Sequence, residues 1–415
     1  MSDPGWRAWA SEHRIDLVLF AFSLFAYALS SGSLLAQQSQ APHFVYQADA
    51  FLRGQLHLAA RPPNLNDWVL EGGRWYVSFP PFPAVLMMPF VAFEGLSFND
   101  VAFTLPFAAA NVALFYRLLR RIQQVEGGGR SAWDHAVFAL VFGFGTLAWS
   151  CSIRGEVWFT AEVVGVTLTL LYLQAALRAQ HPVLAGAALG CATITRAPLA
   201  LSGVFFLIEA VVDGGRVSQA NLRAALRDPQ RRKKLLQRLA LFALPIAAVG
   251  LAMAWMNLAR FGSPGEFGHA RMYANRVNPD IHAYGLFSFH YLERNLRSAF
   301  LLLPKLQLHP FRLDYDPNGM SLFLTTPLFV LTFVPREKPR LWAPLWITAA
   351  AVALPGFFYQ NNGYVQFGFR FSLDYTPHLV ALLALGARPL DGLFWLLALF
   401  GFAVNAWGAA AFNRP

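Results

Sequence analysis

The sequence predicts an all-α polytopic membrane protein of about eleven spanning helices, with two large loops on one side. Two observations carry that expectation. Only 13% of the 415 residues are charged while 56% are hydrophobic, and a soluble domain carries about 25% charged residues. Charge is too scarce to cover a soluble surface. The apolar residues also gather in runs near the ~20 residues that cross a bilayer. Disorder, a collagen-like repeat and a disulfide-rich scaffold are excluded by the same composition. The two cysteines, Cys151 and Cys191, sit in apolar stretches without metal-ligand spacing.

The first run extends from Ile15 to about Leu35, long enough to span and lacking a small-residue cleavage site. Further runs cover 101–119, 135–151, 158–177, 183–212, 239–259, 320–335, 341–359, 371–387 and 392–411. The run at 183–212 is too long for one crossing. Thr195-Arg196-Ala197-Pro198 divides it into two short helices, because a residue preceding proline is driven out of helical geometry. The segment Phe82 to Phe93 carries Pro83 and Pro89 and is too short to span. It is expected to lie along the surface.

The net charge is +10, from 33 Lys and Arg against 23 Asp and Glu. In a chain this apolar the excess reads as a positive-inside bias rather than a nucleic-acid footprint. Leaving 82–93 on the surface collects 19 of the 33 basic residues on one side, including the clusters at 117–130, 216–238 and 336–340. The result is a single domain over 1–415 in the plasma (inner) membrane, N-terminus cytoplasmic. The segments 37–100 and 260–318 are then large extracytoplasmic loops, and 213–238 is a basic cytoplasmic loop suited to anionic lipid. Loops on a rigid scaffold are where sites are expected.

Within the first loop the segment 43–56 carries Phe44, Tyr46, Phe51 and Leu52, which suit an amphipathic helix lying at the interface, and Asp49 lies in it among apolar residues. Such surroundings raise a carboxyl's pKa and suit a general base. Asn64, Asn66 and Asp67 form a turn, and Gly72-Gly73 a hairpin turn between Val69-Leu70 and Trp75-Tyr76-Val77. A third patch holds Arg154, Glu156 and Glu162, the last inside an apolar run where ionisable groups are functional or paired. The second loop offers His269, Arg271 and Tyr273 among glycines and aromatics. Arg370 and Asp374, four apart, are spaced to pair across a helical turn.

Arginine binds phosphate in a fork that ammonium does not match. Nucleotide-binding, dinucleotide, zinc-protease and nucleophile-elbow motifs are missing from the sequence. An outward site has no cytosolic nucleotide, so an activated substrate there arrives attached to lipid.

In order along the chain stand Tyr46-Gln-Ala-Asp49-Ala-Phe-Leu-Arg-Gly, Phe79-Pro-Pro-Phe-Pro83, Phe115-Tyr-Arg-Leu-Leu-Arg-Arg121, Trp149-Ser-Cys-Ser-Ile-Arg154, Leu184-Ala-Gly-Ala-Ala-Leu-Gly190, Thr195-Arg196-Ala-Pro198 and Phe367-Gly-Phe-Arg370. This series resembles the GT-C membrane glycosyltransferases, in particular the protein O-mannosyltransferases and lipid A aminoarabinose transferases. The resemblance implies transfer of a sugar from a polyprenyl-phosphate donor to a glycan, lipid or protein acceptor at the outer face. It implies that Asp49 is the catalytic base. Where several relatives carry an adjacent Asp-Glu pair, Asp49 is followed by Ala50, so a divalent metal is possible rather than implied and no metal ligand is assigned.

The resulting expectation places Arg271, Arg370 and Arg196, in that order, on the donor phosphate. Glu156, Glu162, Arg154, Asp67, His269 and Tyr273 then serve the substrates, with membrane lipids around them and no nucleic acid. A transporter or flippase of a lipid-linked intermediate is the alternative; the two outsized loops favour the enzyme.

Overall fold

In the computed structural model, residues 14–273 and 278–412 are described. Five helices among them are long and apolar enough to cross a membrane: Arg14–Ala36, Asp100–Glu126, Val157–Ala179, Pro229–Phe261 and Gly392–Ala411. Six shorter apolar helices, including Phe82–Ser97, Pro182–Thr193 and Trp342–Phe358, complete the bundle.

The elements that frame the site are α1 (Arg14–Ser31), α2 (His43–Leu52), strands β1 (Trp68–Glu71) and β2 (Arg74–Val77), α3 (Phe82–Glu94), α4 (Asp100–Glu126), α5 (Val157–Ala176), α6 (Pro182–Thr193), α7 (Pro229–Phe261) and α8 (Trp342–Phe358). Helix α4 starts where the Asn99 side chain accepts the Ala102 amide at 3.0 Å, and α7 where Asp228 accepts the Gln230 amide at 2.9 Å. Each satisfies a donor that the helix itself leaves orphaned. Helix α5 is buried along most of its length, whereas α7 and α1 turn long rows of Leu and Phe outward, as helices at a lipid-facing rim do.

Close contact between α6 and α7 depends on Gly186 and Gly190. A Cβ at Gly186 would sit 2.1 Å from the Phe242 carbonyl oxygen, and one at Gly190 3.2 Å from Val249. Small residues four apart let two helix backbones approach in a membrane.

The run at 183–212 is interrupted as expected. Helix α6 ends at Thr193, Arg196 is extended (φ −148°, ψ 117°), and a 3₁₀ segment Ala197–Ser202 leads into helix Gly203–Val212. The run at 320–335 departs from its expected helix. It forms one short turn, Leu322–Thr325, then a 3₁₀ stretch, Pro327–Phe333, because Pro327 has no amide to continue the ladder. The pairing of Arg370 with Asp374 also fails. Arg370–Asp374 is 3₁₀, with three residues per turn, so positions four apart do not share a face.

The two long loops meet. The β1–β2 hairpin pairs Trp68 with Val77 and Glu71 with Arg74, its turn built on Gly72 and Gly73, both at positive φ. The outer edge of β1 then takes up a piece of the second loop: the Asp67 amide donates to the Tyr273 carbonyl at 2.9 Å and the Tyr273 amide to Trp68 at 2.8 Å. At the other end of α4 a separate cluster locks the bundle, where Arg340 forks onto both Glu126 and Glu209 at 2.6–2.8 Å.

Candidate active site

Where the joined loops cover the bundle lies a cavity of about 1330 Å³. Its upper wall is the Asn64–Asp67 turn with His269 and Tyr273; its floor is the break after α6 and the Arg370–Asp374 turn. One flank is apolar, formed by Ile246, Val249 and Met253 of α7 and Val352 of α8.

The floor is a compact four-charge network. Arg196 meets Asp374 with Nε to Oδ1 at 2.6 Å and Nη2 to Oδ2 at 2.8 Å. Arg370 Nη1 donates to Glu162 Oε1 at 2.6 Å, and the same oxygen lies 3.5 Å from Arg196 Nη1. Glu162 is fully buried on α5, so its charge is tolerable only because two guanidinium groups flank it. Chain folding aims Arg370 as well. Gln366 Oε1 accepts the Arg370 amide at 2.9 Å while Arg370 Nε donates to the Gly363 carbonyl at 3.1 Å. Gly363 has φ +99°, and a Cβ there would lie 2.3 Å from Gln366 Oε1; this tight wrap requires glycine.

Opposite the arginines stands Asp67. Its Oδ2 accepts the Trp158 indole Nε1–H at 3.1 Å. Burial pushes its carboxyl up to about 6, against the opposing pull of the Trp158 donor and of the Arg370 charge. His269 nearby is held neutral: burial, aided by the Arg260 charge, lowers it to about 4.

Of the sequence-derived candidates, Asp67, Glu156, Arg196, His269, Tyr273 and Arg370 line this one cavity. Glu162 sits directly behind the arginines. Glu156 is engaged by Arg154, whose Nε donates to it at 3.1 Å while Nη1 donates to the Phe412 carbonyl.

Two leading expectations land elsewhere. Asp49 is not among the lining residues. It forms an i,i+4 pair with Arg53 (2.9 and 3.1 Å) at the C-terminal end of α2. Arg271, the first choice for phosphate, is half-exposed and held between Glu71 at 2.7 Å and Glu266 at 3.6 Å, also outside the lining. Trp158 and Asp374 also line the cavity; from the sequence Trp158 has no assigned role and Asp374 only a pairing with Arg370. Trp158 lies one turn before Glu162 on α5, a spacing that puts both on one helix face. Among the described residues no three His, Cys, Asp or Glu side chains converge to hold a metal ion, and the floor carboxylates are taken up by guanidinium groups.

No protein-family model and no curated protein sequence matches the chain. Solved structures do. The fold is similar to that of ArnT from Cupriavidus metallidurans bound to undecaprenyl phosphate, with TM-score 0.53 and 15% identity over 94% of this chain and 62% of that one. It is also similar to the apo oligosaccharyltransferase of Archaeoglobus fulgidus, with TM-score 0.50 and 12% identity over 95% of this chain and 56% of that one. The chain thus spans about three-fifths of the length of these neighbours. The chain is a multi-pass membrane protein with a GT-C-like fold, and at these identities the likeness is one of fold.

Proposed function

We propose that the protein is a glycosyltransferase that moves a sugar from a polyprenyl-phosphate donor to an acceptor hydroxyl. The observation that carries this reading is one cavity in which a carboxylate outside the ion pairs, Asp67, shares the lining with Arg370 and Arg196, beside an apolar flank that a lipid tail would occupy. The fold neighbours, one bound to undecaprenyl phosphate, support a lipid-linked donor.

In this reading Asp67, rather than Asp49, is the general base. It takes the acceptor proton as the acceptor oxygen attacks the sugar C1. The bond from C1 to the phosphate oxygen breaks, its electron pair leaves with polyprenyl phosphate, and C1 inverts. Arg370 and Arg196 stabilise the phosphate charge that develops. Fixed donors aimed at such charge contribute about 10²–10³-fold each, and a positioned base about 10²–10⁴-fold. Trp158 and Tyr273 supply aromatic faces for the sugar. The inner membrane, an extracytoplasmic site under the loops 37–100 and 260–318, and a glycan, lipid or protein acceptor belong to the same proposal.

The test is purified protein in proteoliposomes supplied with a panel of polyprenyl-phosphate sugars. Release of polyprenyl phosphate that depends on Asp67 supports the reading. Movement of the intact lipid-linked sugar across the bilayer without bond cleavage would make the protein a flippase instead.

A further inference from the structure

Asp67 stands at φ 61°, a left-handed conformation few non-glycine residues adopt and one that surrounding contacts must hold. The residues on either side of it are gripped by one side chain. His43, the fully buried first residue of α2, donates from Nε2 to the Asn66 carbonyl at 3.0 Å. Its ring lies flat on the Trp68 indole, centroids 3.8 Å apart and planes 11° off parallel. Asn64 closes the turn from the other side, its Oδ1 accepting the Asn66 amide at 3.0 Å and the Trp68 Nε1–H at 3.2 Å. A carbonyl partner requires the proton on Nε2, and burial holds the imidazole neutral by lowering it to about 4.

We propose that His43 is a positioning residue for Asp67, acting through Asn66 and Trp68 to hold the carboxylate in the cavity. The inference rests on the reading of Asp67 as the base. His43 is not among the cavity-lining residues and so touches no substrate. Among the described residues the groups that face the Asp67 carboxylate are the Trp158 donor, the Arg370 charge and the Tyr359 hydroxyl; His43 sets where that carboxylate stands relative to them. A reacting group misplaced by an ångström loses about 10²-fold in rate, which sets the scale of the effect.

Two variants separate the two grips. His43→Phe keeps a ring for Trp68 and removes the donor. His43→Gln keeps an N–H near the Nε2 position and removes the stack. Both are assayed with Asp67→Asn in proteoliposomes with a polyprenyl-phosphate sugar. His43→Phe is expected to lower kcat about 10- to 100-fold with the donor KM within about twofold of wild type. The acid limb of its pH profile should move below the wild-type position as Asp67 gains solvent, and His43→Gln should recover part of kcat. A purely structural His43 would alter yield or Tm and leave that limb in place. Wild-type kcat and an unmoved limb in both variants, with Asp67→Asn inactive, overturn the proposal for His43 alone. Full turnover by Asp67→Asn overturns the base reading and this inference with it. Where His43→Phe does not fold, the limb of His43→Gln decides, and an unmoved limb counts against the proposal.

Discussion

Arg196 and Asp374, 178 positions apart in the chain, meet in two parallel hydrogen bonds of 2.6 and 2.8 Å. That fork uses the geometry for which arginine is suited, and Glu162 lies 3.5 Å from its remaining edge. Arg196 is therefore set before any ligand arrives. Arg370 has one carboxylate where Arg196 has two, and it is the cation with more to offer a phosphate.

Replacing Arg370 with lysine keeps the charge and loses the fork. Turnover of a polyprenyl-phosphate sugar by Arg370→Lys should fall about 10²–10³-fold. Steady-state kinetics on folded protein check this, and near wild-type kcat would remove Arg370 from the phosphate role.

Asp49 and Asp67 make opposite predictions. Asp67→Asn is expected to lose about 10²–10⁴-fold in kcat, whereas Asp49→Asn, altering only a pair with Arg53 outside the cavity, should stay near wild type. Loss of turnover in the Asp49 variant alone would return the base to the first helix of the loop.

The pH dependence has a defined sign. A base works ionised, and Asp67 is raised to about 6, so kcat/KM should rise with pH through about 6 and level off above it. The Trp158 hydrogen bond favours the charged form. Trp158→Phe removes it and should move the limb upward. A limb that moves downward in this variant would contradict the contact.

Glu162 is fully buried and holds both floor arginines. Glu162→Ala takes the carboxylate from Arg370, while Arg196 keeps Asp374, and should cost about 3–5 kcal/mol, read as a lower Tm in detergent. Glu162→Gln, which keeps an acceptor, should lose less. An unchanged Tm in the alanine variant would show that the network is not buried as described.

At Gly186 the space for a side chain is already filled by the backbone of α7. Gly186→Val is expected to push the helices apart at about 1–3 kcal/mol, checked by thermal unfolding beside the control Gly250→Ala, where nothing lies within 4 Å of a new Cβ.

Local chemistry was legible in the sequence. Apolar runs marked the long helices, Pro198 marked the break beside Arg196, and Gly72-Gly73 marked the hairpin, because each depends on residues close in the chain. Asp67, Arg196 and Arg370 were recognisable as candidates on the same basis, but the rank among them was not. Asp49 was placed as the base and Arg271 first for the phosphate, since their neighbours in sequence are as apolar and aromatic as those of the lining residues.

The tertiary structure decided which charges share a cavity. Pairings such as Arg196 with Asp374, Arg370 with Glu162 and Tyr273 with the edge of β1 join distant segments. Coulomb attraction and backbone hydrogen bonding depend on separation in space, and no periodicity in the chain records that distance. What the sequence by itself determined was a membrane-embedded helical bundle and a short roll of polar residues able to serve it. Which of them share the cavity was settled by packing, which brought Asp67 together with Arg196 and Arg370 and left Asp49 paired with Arg53 away from its lining.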